Sequence, residues 1–195
     1  MKIDSLLYNK MKIIIGGEFS GEIRTAFEAK GHEVISCDFL PSEKPGNHYQ
    51  GDMLDIIDYP FDLGIFHPPC TDTAVSGAKH FQAKRLDGRQ YKSVAFFMKL
   101  IRRTEHIEKL CFEHPISIMS SLWRKPDQII QPWQFGHGET KATCLFLKNL
   151  PKLQPTNIVE GREARIHKMP PSKDRWKERS RTFTGIAQAM ADQWG

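Results

Sequence analysis

The chain alternates short apolar runs with amphipathic stretches. Residues 12–17, Lys-Ile-Ile-Ile-Gly-Gly, form a β-branched run that ends in glycines, as a buried strand does. From Gly21 to Ala29, Ile23, Ala26 and Phe27 recur on one helical face, with Ser20 available as the cap and Gly31 as the stop. Glu33 to Cys37 reads as a second strand that ends at Asp38, which completes a βαβ unit. Pro41 to Asn47 is a loop, and Gly51 to Asp58 a short helical turn or strand end. Phe61 to Phe66 reads as a strand closed by Pro68-Pro69. The pattern then predicts a helix over Asp87 to Ile107, whose stripe includes Tyr91, Val94, Ala95, Met98 and Ile101. Strands follow at Lys109 to Glu113 and Thr143 to Leu147, and a helix at Thr184 to Trp194.

Strands alternating with helices predict an open, mostly parallel α/β sheet, Rossmann-like, with helices on both faces. Ligands of such sheets lie beyond the carboxyl ends of the strands. Those ends carry Glu18-Phe19-Ser20-Gly21, Asp38, His67-Pro68-Pro69-Cys70 and Glu113-His114-Pro115. The 195 residues suit a single domain over 11–195, with 1–10 as an extension ahead of Met11 and 136–183 as a basic, loop-rich region. No apolar run approaches the length of a membrane span, and no leader pattern precedes Met11, so a cytoplasmic protein is expected. The net charge of +5 is compatible with a polyanionic partner. Cys37, Cys70, Cys111 and Cys144 stand far apart, and the histidines are scattered, so neither a metal site nor a disulfide framework is expected.

Gly21 after the first strand and Asp38 after the second suit a cofactor that carries a ribose, while the full G-x-G-x-x-G pattern is absent. A cofactor with a ribose but no phosphate fits better, and S-adenosylmethionine is the candidate. Cys70 leaves a strand on a turn stiffened by two prolines, and Glu113 ends another strand. A pyrimidine resists electrophiles at C5 until a nucleophile adds at C6, and addition is eased by an acid at N3. A thiolate and a carboxyl group meet both demands. Such a glutamate must be protonated to donate, and burial raises a carboxyl pKa.

Together, Phe19-Ser20-Gly21, Asp38, Gly51-Asp52, Pro68-Pro69-Cys70 and Glu113 resemble the ordered motifs of the cytosine-5 DNA methyltransferases, particularly short phage-type members. The resemblance covers about residues 12–116. It implies that Cys70 attacks C6, that Glu113 contacts the ring at N3, and that S-adenosylmethionine gives its methyl to C5. It implies cofactor contacts at Phe19, Ser20, Gly21, Asp38, Asp52 and Pro68. Substrate contacts are expected at His67, His114 and Lys141, and at Arg162, Arg165 and Trp176 in the basic stretch. The chain departs from the family at Ile23, Thr71 and His114-Pro115, and only about eighty residues follow Glu113, too few for a separate recognition domain of the usual size. An amino-group methyltransferase is disfavoured, because His67-Pro68-Pro69-Cys70 lacks the acid or amide and the aromatic that hold an exocyclic amine. DNA is the expected substrate. A free cytidine nucleotide, or a non-catalytic nucleic-acid-binding role on the same fold, are the alternatives.

Overall fold

The computed structural model describes residues 10–195. Apart from Lys10, the expected extension lies outside the described residues. Seven strands, β1 Lys12–Gly16, β2 Glu33–Asp38, β3 His48–Gln50, β4 Leu63–Phe66, β5 Lys109–Pro115, β6 Gln128–Ile130 and β7 Thr143–Lys148, form one sheet. Its order is β3-β2-β1-β4-β5-β7-β6. The pairs from β3 through β5 are parallel, whereas β7 runs antiparallel to both β5 and β6. Six strands therefore share one direction. The sheet is Rossmann-like, and the strand order reverses between the neighbours β1 and β4.

Alternation along β1 explains the two covered faces. Ile13 and Ile15 point to one side, where they meet Ile23 and Phe27 of helix α1 (Glu22–Glu28). Ile186, Met190 and Trp194 come to the same cluster from the C-terminal helix, Thr184–Trp194. Ile14 points to the other side, toward Phe97 and Leu100 of the long helix Arg89–Arg103. A residue buried on either face removes roughly 1.5–3 kcal/mol of apolar surface from water, so this two-sided pattern fixes which face each strand presents.

Several boundaries move relative to the periodicity. The helix expected over 87–107 spans Arg89–Arg103, entered through Gly88 at φ 77°, and Thr104 closes it by bonding the Leu100 carbonyl. Ahead of it lies a shorter helix, α2, Phe81–Leu86, which makes the long helix α3. Ser20 does not cap α1. Gly21 takes the N-cap position in the left-handed region at φ 70°, and the α1 amides of Ile23 and Arg24 donate to the Glu18 carboxylate at 2.6 and 3.2 Å. Further on, α4 covers Met119–Leu122, α5 Arg165–Lys168 and α6 Arg175–Ser180, so the C-terminal helix is α7. Between β7 and α5 the chain is irregular, held by isolated bridges Phe135–Asn157 and Glu139–Glu163.

Arg24 carries no solvent exposure, yet its guanidinium is fully committed. It donates to Ser36 Oγ, Ser42 Oγ and the carbonyls of Lys44 and Pro45, and pairs with Glu28. A buried charge is tolerated only with such partners. The result fastens the 41–47 loop beside the carboxyl end of β2.

Candidate active site

The carboxyl ends of β1, β2, β4 and β5 deliver four short segments to one edge of the sheet. At the β1 end, Gly17 sits at φ 78°, and a Cβ there would lie 2.5 Å from the His67 carbonyl oxygen. Glycine therefore permits the close approach of the β1 and β4 ends. The His67 amide bonds the Gly16 carbonyl at 2.8 Å, and its ring Nδ1 lies 3.2 Å from the same oxygen. Across from it, His67 Nε2 is 3.3 Å from Glu113 Oε2 on β5.

These charges act on one another. Burial works against a charged His67, but Glu113 and Glu18 outweigh it and raise its pKa above 6.5. Burial raises Glu113 in turn, yet His67 and then Lys141 overcome it and bring the carboxyl below 4.5. The expectation of a protonated Glu113 is thus corrected: a neighbouring imidazole, invisible in the linear pattern, holds it as the carboxylate. Glu18, buried at the α1 entrance, is raised by burial despite the two amides it accepts.

Cys70 follows Pro68, which is buried, and Pro69, which is exposed. Its carbonyl accepts the amides of Thr73 and Ala74 at 3.1 and 2.9 Å, so the nucleophile candidate sits at the head of a closed turn. The next residues are anchored: Lys84 Nζ donates to the Thr71 carbonyl and pairs with Asp72, which also accepts from Ser93. Burial raises the thiol above 9.0, the positive charges of Lys141 and Arg179 pull it down, and the Glu113 carboxylate pushes it up. A thiol and a carboxyl group more than forty positions apart in sequence thus lie within electrostatic reach on adjacent strand ends. The balance leaves the thiol pKa above its ordinary value.

The remaining expected residues divide. Phe19 and Ser20 are buried at the first turn, and the Phe19 carbonyl accepts from Glu43. Asp38 ends β2 with one carboxylate oxygen accepting from Leu40 at 2.9 Å, and Asp52 caps a short 3₁₀ turn through Leu54. Lys141 is half-buried, with its amide bonded to Gln131 Oε1 and its ammonium 5.8 Å from the Phe183 ring centre. His114 does not reach the crevice. Alternation along β5 sends it to the face opposite Glu113, 1% exposed and edge-on to Phe97, and burial keeps it neutral. Arg162 and Arg165 are turned to other work. Arg162 lies 3.8 Å over the Trp133 ring, and Arg165 bonds Glu139 at 2.7 and 3.0 Å. Trp176 is 58% exposed on α6, which rules out a core role for it.

Three participants lie outside the expected site residues, although Glu18 belongs to the first strand-end segment. Glu18 fills the α1 entrance, and Glu43 draws α6 across the first turn by pairing with Lys177 at 3.0 Å and Arg181 at 2.7 Å. Lys177 also stands 5.4 Å over the Phe19 ring. Arg179, one helical turn from Arg175, directs its charge toward Cys70. The partners of Glu43 and Arg179 come from remote parts of the chain, so only folding exposes them, whereas Glu18 is engaged by the nearby amides of Ile23 and Arg24. Among the described residues no group of three or more histidine, cysteine or acidic side chains stands in metal-binding arrangement, and no helix is long and apolar enough to cross a membrane.

No family model and no curated protein matches the chain. Solved structures similar to it include the Entamoeba histolytica methyltransferase EhMeth, at 13% identity and a TM-score of 0.47 over 84% of this chain and 61% of that one. A mutant of DNMT2 from Spodoptera frugiperda aligns at 14% identity and a TM-score of 0.44 over 77% of this chain. The chain spans 55% of that second structure.

Proposed function

We propose that this protein transfers a methyl group from S-adenosylmethionine to C5 of cytosine, through a covalent bond from Cys70 to C6. The observation that carries the reading is the convergence of Cys70 and Glu113 at adjacent strand ends, close enough for the carboxylate charge to act on the thiol. Sulfur attack and acid assistance at N3 are the two demands of C5 chemistry.

The first turn fits this cofactor better than a dinucleotide. Amides at the start of a helix are the usual seat of a pyrophosphate, and here the Glu18 carboxylate already takes those of Ile23 and Arg24. A second anion at that place would meet an acid. A cationic, phosphate-free cofactor meets no such conflict, and Asp38 retains a carboxylate oxygen without a hydrogen-bond partner among the described residues, available to ribose hydroxyls. Phe19, Ser20, Gly21, Asp38, Asp52 and Pro68 are the residues that would hold it. When bound it would supply the methyl group and the positive charge of its sulfonium.

On the substrate side, Lys141 and Arg179 favour the Cys70 thiolate, Glu113 faces the ring nitrogen, and the turn fixed by Asp72 and Lys84 holds the sulfur in place. DNA is the first substrate to test. A free cytidine nucleotide is the second, supported by the internal pairing of Arg165, Lys177 and Arg181, which leaves fewer cations for phosphates.

The test is transfer of a labelled methyl group to duplex DNA, single strands and free cytidine nucleotides, with Cys70→Ser as the paired variant. Product labelled at C5 is expected from one of the three, with turnover abolished in Cys70→Ser and cofactor affinity kept. Full activity in that variant, or no transfer to any cytosine, ends the proposal.

A further inference from the structure

We propose that His67 and Glu113 together store the proton that cytosine N3 takes up when Cys70 adds, with His67 as the residue that supplies it through Glu113. The inference rests on the cytosine reading and adds a positioning residue to it. His67 stands where its ring is enclosed on both sides by acceptors. Nδ1 lies 3.2 Å from the Gly16 carbonyl oxygen, which can only accept, so that nitrogen bears hydrogen. Nε2 lies at ion-pair distance, 3.3 Å, from Glu113 Oε2, and is buried with no hydrogen-bond partner among the described residues. A proton on Nε2 is therefore within ion-pair reach of the carboxylate.

Every charged group packed against the ring favours that proton on His67. Glu113 faces it from β5 and Glu18 from the end of β1, and both raise its pKa. On the far side of the pair, Lys141 acts on Glu113 and Cys70 alike, and His114, whose own pKa burial lowers, is the weakest of the charges that act on Glu113. Glu113 rests as a carboxylate, and a carboxylate alone has nothing to give a ring nitrogen. The imidazolium behind it resolves this.

The step balances. The Sγ–C6 bond forms, the C5=C6 electron pair shifts to C4–C5, and the C4=N3 pair moves onto N3. N3 takes a proton from Glu113 Oε, and Glu113 takes the Nε2 proton of His67. The histidine is left neutral with Nδ1–H on the Gly16 carbonyl, and Glu113 returns to the carboxylate. After methyl transfer a water molecule takes the C5 proton as the C5=C6 bond re-forms and the sulfur leaves, and the N3 proton returns through Glu113 to His67, so the relay is reset.

The experiment follows the rate at which Cys70 becomes covalently attached to single-stranded DNA containing 5-fluorocytosine, in the presence of S-adenosylmethionine and across the neutral to alkaline range. In the wild type the rate rises as the thiol ionises and falls as His67 loses its proton. His67→Gln retains an amide donor but cannot pass a proton. Adduct formation in it is expected to slow about a hundredfold, with DNA affinity unchanged and the alkaline fall abolished. Wild-type speed in His67→Gln, or a slow variant that keeps the alkaline fall, overturns the relay while leaving the cytosine reading intact. A wild type that forms no adduct with any cytosine polymer or nucleotide overturns the reading and the relay together. Nitrogen-15 NMR of the substrate-free wild type adds a check that needs no turnover. Its His67 ring is expected to carry protons on both nitrogens at neutral pH and to lose its elevated pKa in Glu113→Gln; a neutral ring overturns the relay.

Discussion

Four cysteines share this chain, and their surroundings separate them. Cys111 and Cys144 are buried in strands, and Cys37, bonded to the Gly51 carbonyl, is pushed up to about 12 by burial and by the acids Asp38, Asp52 and Asp55. Cys70 alone is partly exposed, and the cations Lys141 and Arg179 act against its burial. Alkylation by iodoacetamide should therefore mark Cys70 first, slowly at neutral pH and faster as pH rises, because the thiolate reacts. Lys141→Gln removes a charge that stabilises the thiolate, so the thiol pKa moves further up. The neutral-pH rate should fall roughly three- to tenfold, with the limiting alkaline rate unchanged. Mass spectrometry of the labelled peptide checks it, and an unaltered neutral rate refutes the assigned role of Lys141. At this scale the sequence was partly legible. Cys70 and Glu113 could be singled out because prolines and strand ends bracket them. The ionisation of Glu113 could not, since it depends on His67, whose partner is set by the register of β4 against β5.

Among the elements, those with strong periodicity were readable and those made by tertiary context were not. The runs at β1, β2 and β4 carry β-branched or aromatic residues and are bounded by Gly or Pro, and β5 has the apolar run Leu110-Cys111-Phe112 closed by Pro115. By contrast β3 is His48-Tyr49-Gln50, three residues at a sheet edge with one aromatic, and β6 is equally short at the other edge. Alternation has no direction, so the antiparallel course of β7 was also hidden. The least legible element is α6, six residues with no buried member, which stays in place through Glu43. Arg181 first, then Lys177, hold the Glu43 carboxyl down to about 2, against 4.5 for an ordinary glutamate. A depressed pKa contributes stability that is complete above the unfolded value and lost as pH falls through the folded one. Protease cleavage within 168–182 should thus stay low near neutrality and rise as pH falls from 4.5 toward about 2. Glu43→Gln should show the same susceptibility at neutral pH, with α7 still protected. Equal cleavage of variant and wild type at neutral pH would mean that the clasp does not hold α6.

At the scale of the whole molecule, the question is whether its positive charge serves a polymer. The formal charge is +5, but much of the basic stretch is spent internally: Arg162 lies on Trp133, Arg165 on Glu139, and Lys177 and Arg181 on Glu43. Lys168, Lys173 and Arg179 have no ion pair among the described residues and lie on or beside α5 and α6, of which α6 flanks the first turn and bears the cation that acts on Cys70. Each phosphate neutralised on a single strand contributes about 0.7 to the slope of log affinity against log salt. Three cations therefore predict a slope near about −2, so that doubling the salt weakens binding roughly fourfold. That is shallow for a protein gripping a duplex along its length, and it follows from the pairing, not from the charge count. Lys168→Gln with Lys173→Gln should flatten the slope to about −0.7. A free nucleotide engages one phosphate group at most in this frame, and its affinity should be indifferent to those two substitutions. Fluorescence anisotropy with a labelled single strand, set against competition by a cytidine nucleotide, measures both. A polymer slope unchanged by the double variant would move the phosphate track away from α5 and α6, and nucleotide binding that weakens in step with the polymer would show that the two lysines reach the crevice itself.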